Sequence, residues 1–76
     1  MNAFERAEIS QREIACLKLF AVGLSDAQIG HGLGISARTV RFHFDGIKKK
    51  LDAKSRAHAL VRAMQKGLIE LNELSL

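Results

Sequence analysis

The chain has 76 residues with 47% hydrophobic and 26% charged side chains, no proline, tryptophan or tyrosine, and a formal net charge of +4. One small domain fits in that length, burying only about 60% of the surface its unfolded chain exposes, so its core is thin and a deep catalytic cleft is hard to build. A lone Cys16 excludes an internal disulfide framework and zinc sites of the Cys₄ or Cys₂His₂ type. Unbroken apolar runs reach only four residues, as in Leu19–Val22, far from the roughly 20 that cross a bilayer. Glu5 and Glu8 stand where a signal peptide would be apolar, so a cytoplasmic protein is expected, with no membrane partner.

The charge is unevenly spread. Positions 31–66 hold nine basic residues (Arg38, Arg41, Lys48, Lys49, Lys50, Lys54, Arg56, Arg62, Lys66) against Asp45 and Asp52, whereas both ends are net acidic. A basic stretch is either a solvated face or the footprint of an anionic partner, and geometry has to separate the two.

The absence of proline and the wealth of Ala, Leu, Ile, Lys and Arg favour helices. Residues 1–8 form a short leader. Ser10-Gln11-Arg12-Glu13 is a capping box opening a helix over 11–22, with Glu13, Cys16, Leu17 and Phe20 in one row. Ser25-Asp26-Ala27-Gln28 is a second box, opening a helix over 26–33 that offers Ala27, Ile29, Gly30 and Leu33. Gly23 and Gly34 follow these two patterns, where a left-handed terminal residue suits glycine. Leu33-Gly34-Ile35-Ser36 is then a tight turn into a third helix over 37–51, and Ser55 opens a fourth over 56–67. A short helix, a glycine turn and a longer basic helix make a helix-turn-helix. The expected fold is an all-α four-helix bundle around it.

At 100° per residue the third helix turns Val40, Phe44, Ile47 and Leu51 to the core. Arg38, Phe42, Asp45 and Lys49 lie opposite, with Arg41 and Lys48 on one flank and Thr39, His43 and Lys50 on the other. An outward Phe42 among cations either touches a thymine methyl in the major groove or is an incidental surface residue. Arg38 and Arg41 suit guanine or phosphate; a solvated cationic face is the other reading. For Asp45 the preferred expectation is intrahelical pairing with Lys49 or Arg41, the other being acceptance from a cytosine amino group. Lys48, Lys49, Lys50 and Arg56 suit phosphate contact without sequence reading; Lys54 equally suits a solubilising patch.

On the fourth helix Ala59, Leu60, Ala63 and Gly67 line one face, expected in the core. Ala57, Val61, Met64 and Leu68 form a second apolar arc about 100° away, either covered by another chain or by a core that wraps further round. A dimer through this arc would set two recognition helices one DNA turn apart, about 34 Å. His31, His43 and His58 show no ligand or base spacing, so no enzyme, metal or cofactor is expected.

From Ile9 to Ile69 the chain resembles the C-terminal DNA-binding domain of LuxR-type transcriptional regulators, the GerE- or NarL-like helix-turn-helix. The resemblance rests on Ile9-Ser10-Gln11-Arg12-Glu13, Ala21-Val22-Gly23-Leu24-Ser25, Gln28-Ile29-Gly30, Leu33-Gly34-Ile35-Ser36, Thr39-Val40-Arg41-Phe42-His43, Ile47-Lys48-Lys49-Lys50-Leu51, Ser55-Arg56 and Gly67-Leu68-Ile69. It implies a homodimer on double-stranded DNA, the third helix in the major groove and the fourth at the dimer interface. By the resemblance Arg41, Phe42 and Asp45 face bases, while Thr39, His43, Lys48, Lys49 and Lys50 lie near phosphates; Arg38 completes the expected base-contact set, and Ser36 and Arg56 the expected phosphate set.

RNA polymerase or a larger LuxR-type regulator are the further partners it implies. The rival expectation is an interaction protein that pairs through the fourth helix with a larger relative and inhibits it. The chain departs from the pattern in three places: Asp26-Ala27-Gln28 replaces a common Asn-Lys-Glu, Asp45 a common Lys, Asn or Arg, and Gly30 a usual alanine at a helix cost of about 1 kcal/mol. Such regulators usually carry an N-terminal sensory domain, so this chain reads as a stand-alone regulator or an excised domain. The tail, 70–76, with Leu71, Leu74 and Leu76, either extends the fourth helix or is disordered.

Overall fold

The computed structural model describes residues 8–74, which form four α-helices and a closing 3₁₀ turn: α1 Gln11–Ala21, α2 Asp26–Leu33, α3 Ala37–Leu51, α4 Arg56–Gln65 and the 3₁₀ turn Leu71–Leu74. The leader, apart from Glu8, falls outside the described residues, as do the last two residues of the tail.

Each helix starts where a serine can satisfy an amide that has no partner inside the helix. The Ser10 hydroxyl accepts from the Glu13 N–H (3.1 Å), and the Glu13 carboxylate accepts from the Ser10 N–H (2.9 Å). Ser25 and Gln28 repeat this at α2 (3.2 and 2.9 Å). Ser36 and Ser55 accept from the amides of Thr39 and His58, each at 3.0 Å.

The helix-turn-helix closes more tightly than a generic helix break. Gly34 adopts a left-handed conformation (φ 73°), and the Ile35 N–H donates to the Gly30 carbonyl at 2.9 Å. That bond brings the Ile35 carbonyl against Gly30, where a Cβ would overlap it and crowd Ser36 C and Ala37 N at 3.2 and 3.3 Å. Gly30 is therefore more than a departure from alanine: its missing side chain is what lets the turn lie this close.

At the core, α3 is the central element. Val40, Phe44, Ile47 and Leu51 are buried on its inner face, joined by Cys16 and Leu17 of α1, Ile29 of α2, and Ala59 and Ala63 of α4. Phe20 meets the Phe44 ring edge-on, with centroids 5.6 Å apart and planes at 62°. Cys16 is a small buried hydrophobe whose thiol pKa burial pushes up. The row expected on α2 is shorter than read, because Ala27 is exposed.

The end of the chain corrects the reading of the fourth helix. It stops at Gln65 rather than 67, because Gly67 turns left-handed (φ 74°) and the Leu68 N–H returns to the Ala63 carbonyl at 2.9 Å. Gly67 is thus an exposed turn residue and not part of the core face. The turn drives Ile69 into the core, where it is 1% exposed. The following 3₁₀ turn packs back on α1, with Lys18 and Glu73 paired at 3.6 Å and Leu74 against the core. Residues 70–74 therefore neither extend the fourth helix nor run free.

Candidate functional site

The outer face of α3 presents Arg38, Arg41, Phe42, Asp45 and Lys49, all exposed, with Phe42 at 75%. These residues recur at three- and four-residue spacing, so they form one strip along the helix. Two shallow open depressions lie along it. One is lined by Arg38, Thr39, Arg41, Phe42 and Asp45, the other by Asp45, Lys48, Lys49, Asp52 and Ala53. Neither is a closed cleft, and among the described residues no cluster of three His, Cys, Asp or Glu could hold a metal.

The two flanks of α3 differ. On the side of Lys48 the helix is bordered by its own left-handed cap at Asp52 (φ 53°). On the other side α1 closes in. Thr39, His43, Gly46 and Lys50 are half-buried there, and a Cβ on Gly46 would stand 3.4 Å from Glu13 Oε2. Lys50 Nζ donates to Glu13 Oε1 at 2.8 Å. Burial pushes the Glu13 carboxyl up in pKa, but the hydrogen bonds from Lys50 and Ser10 outweigh it, and the net shift is down. Glu13, only 6% exposed, thus caps α1 and anchors α3 with one side chain.

Arg56 is held the same way. Its guanidinium donates through Nη1 and Nη2 to the two carboxylate oxygens of Asp26 (2.5 and 3.0 Å), while its Cζ lies 4.2 Å from the centre of the Phe44 ring. The hydrogen bonds from Arg56 hold the Asp26 carboxyl below its ordinary pKa. Asp26 is the position where an asparagine was expected from the resemblance, and here its charge neutralises a half-buried arginine. Lys50 and Arg56, both expected among the phosphate contacts, also act as braces, each paired with a carboxylate of another helix. Neither Glu13 nor Asp26 was foreseen in this role. The partners are 37 and 30 residues apart, so no local pattern announces them.

Asp45 also departs from the reading. The expected pairing with Lys49 or Arg41 is not formed: the Asp45 carboxylate makes no ion pair with any described residue. Ser36 and Thr39 hydroxyls bond each other at 2.9 Å at the exposed start of α3, next to Arg38.

The second apolar arc of the fourth helix divides. Ala57 is exposed and Val61 is 50% exposed, whereas Met64 turns inward against the core. Leu68, 36% exposed, lies past the helix end.

The family described as "Bacterial regulatory proteins, luxR family" matches residues 7–63. Among similar proteins are the transcriptional regulatory protein YdfI of Bacillus subtilis (38% identical over 65 residues, 86% of this chain and 30% of that protein) and the transcriptional activator protein VanR of Vibrio anguillarum (40% over 68 residues, 90% and 28%). The transcriptional regulatory protein LiaR of Bacillus subtilis is 35% identical over 68 residues, 90% of this chain and 32% of its own length. The chain thus spans under a third of each of these three relatives.

Proposed function

The chain belongs to the luxR family of bacterial regulatory proteins, and from that premise we propose that it binds double-stranded DNA as a transcription regulator, with α3 in the major groove. One observation carries this reading: an outward strip of Arg38, Arg41, Phe42, Asp45 and Lys49 on a helix whose other face is locked in the core. A helix of this diameter fits the major groove, and a strip that cannot rotate holds its register against base edges.

In this reading Arg38 and Arg41 address guanine edges and Phe42 a thymine methyl, while Ser36, Thr39, His43, Lys48 and Lys49 meet phosphates on either side. Lys50 ties α3 to α1 through Glu13, and Arg56 ties α4 to α2 through Asp26 while lying over the Phe44 ring of α3. Such a regulator works in the cytoplasm, where bacterial DNA is.

A salt titration of binding to promoter fragments tests the reading. The logarithm of the affinity should fall linearly with the logarithm of salt concentration, by about 0.9 per phosphate neutralised. No binding at low salt, together with tight pairing to a longer relative, would replace this reading with that of an inhibitory partner.

The same proposal includes a dimer, through the exposed Ala57 and Val61 of α4 with Leu68 beside them. Val61→Glu would place a carboxylate in that interface. It should leave helicity intact and abolish self-association in sedimentation; an unchanged oligomeric state would remove α4 from the interface.

A further inference from the structure

We propose that Asp45 selects a cytosine, by accepting a hydrogen bond from the base's exocyclic amino group in the major groove. The inference rests on the DNA-binding reading above and adds the identity of one base.

Four observations carry it. Asp45 is exposed on the same strip as Arg38, Arg41, Phe42 and Lys49. Both depressions on the outer face of α3 include it, so it stands at the middle of the presented surface and not at its rim. Arg41 and Lys49, four residues to either side, are near enough to offset its repulsion from phosphate. Yet none of the described cations pairs with it, so toward the described residues its oxygens are open acceptors.

A carboxylate can only accept, and the major groove offers only two donors: the amino groups of cytosine and adenine. On adenine that donor stands beside the N7 acceptor, a pair that suits an amide and repels a second acceptor. On cytosine the amino group is the base's only polar group in the groove. The open carboxylate therefore matches cytosine.

Its register follows from helix geometry. Asp45 is four residues beyond Arg41, about 6 Å along the axis, against about 3.4 Å per base step along a strand. The two side chains thus address different base pairs, and a C·G pair read by Asp45 is separate from the guanine proposed for Arg41.

The test is selection of sites from a random DNA pool by the wild-type chain, Asp45→Ala and Asp45→Asn, followed by affinity measurements on sites carrying each base at the implicated position. Circular dichroism first checks that the variants keep their helicity. The wild type should prefer cytosine at one position by about 10- to 100-fold. Asp45→Ala should flatten that position alone, and should bind unrelated DNA more tightly than the wild type because a negative charge is gone. Asp45→Asn should shift the preference toward adenine, whose donor and acceptor match an amide.

If Asp45→Ala strengthens binding to all sequences equally and the selected motif is unchanged, Asp45 is a uniform electrostatic brake and the proposal is overturned. If the wild-type chain enriches no motif and shows no salt-dependent binding, the DNA-binding reading itself fails, an outcome distinct from a motif that ignores Asp45.

Discussion

Phe42 and Phe44 stand two residues apart on α3 and occupy opposite environments. Phe44 is fully buried, meets Phe20 edge-on and carries the Arg56 guanidinium over its ring; Phe42 is 75% exposed among Arg38, Arg41 and Lys49. Two residues on a helix are about 200° apart, so identical side chains divide between holding the fold and facing solvent. The same division runs through the cations. Lys50 and Arg56 face inward flanks and are paired, whereas Arg38, Arg41 and Lys49 face out. Residue type alone separates neither pair of groups; angular position relative to α1, α2 and α4 does.

The most severe way to break this comparison is Phe44→Ala, which should cost about 3–5 kcal/mol of stability by leaving a cavity at the centre of a thin core. Chemical denaturation measures it. Phe42→Ala should stay within about 0.5 kcal/mol of the wild type in the same experiment. Comparable losses from the two would erase the distinction between the faces.

Asp26→Ala should come next, at about 1–3 kcal/mol, because it strips a half-buried arginine of its partner. Acid probes this pair and the Glu13–Lys50 pair together. Both carboxyls have folded-state pKa values below the ordinary 3.8 and 4.5. The unfolded chain therefore binds protons first as pH falls. The stability these groups contribute is complete above about pH 5–6 and fades as pH drops through the carboxylate range. Denaturation midpoints across pH 2–7 should show that acid limb in the wild type and a shallower one in Asp26→Ala.

Arg41→Ala should leave the denaturation midpoint in place and reduce affinity for a preferred DNA site by about 1–3 kcal/mol, relaxing selectivity at one base. A uniform loss over all sequences would move Arg41 to the phosphate set. A smaller effect belongs to Gly46→Ala, on the flank between the faces. Its new methyl would meet Glu13 Oε2 at an ordinary 3.4 Å, so helix propensity should prevail and raise stability by about 0.5–1 kcal/mol. Gly30→Ala should instead lower stability, read in the same way by chemical denaturation, because its methyl would run into the backbone of Ile35.

Much of this was legible beforehand because it is local chemistry. Serine caps, their glutamate or glutamine partners three residues on and the terminal Gly34 act within one turn, and α1, α2 and α3 begin and end within a residue of expectation. The inner face of α3 follows from the helical period alone. On α4 the same logic overshot. The apolar spacing continues to Gly67 and Leu68, and nothing in that spacing distinguishes a further helical turn from the left-handed cap that ends it and drives Ile69 inward.

Chain order therefore determined the four helices, the glycine turn and the outward strip of α3, since caps and periodicity operate between near neighbours. Only the tertiary structure decided which cations were braced against carboxylates. Glu13 and Asp26 reach theirs from 37 and 30 residues away, and Asp45, expected to pair along its own helix, pairs with none of the described cations. The physical reason is that ion pairing depends on distance in space and on burial, and neither is encoded in the spacing of residues along one helix.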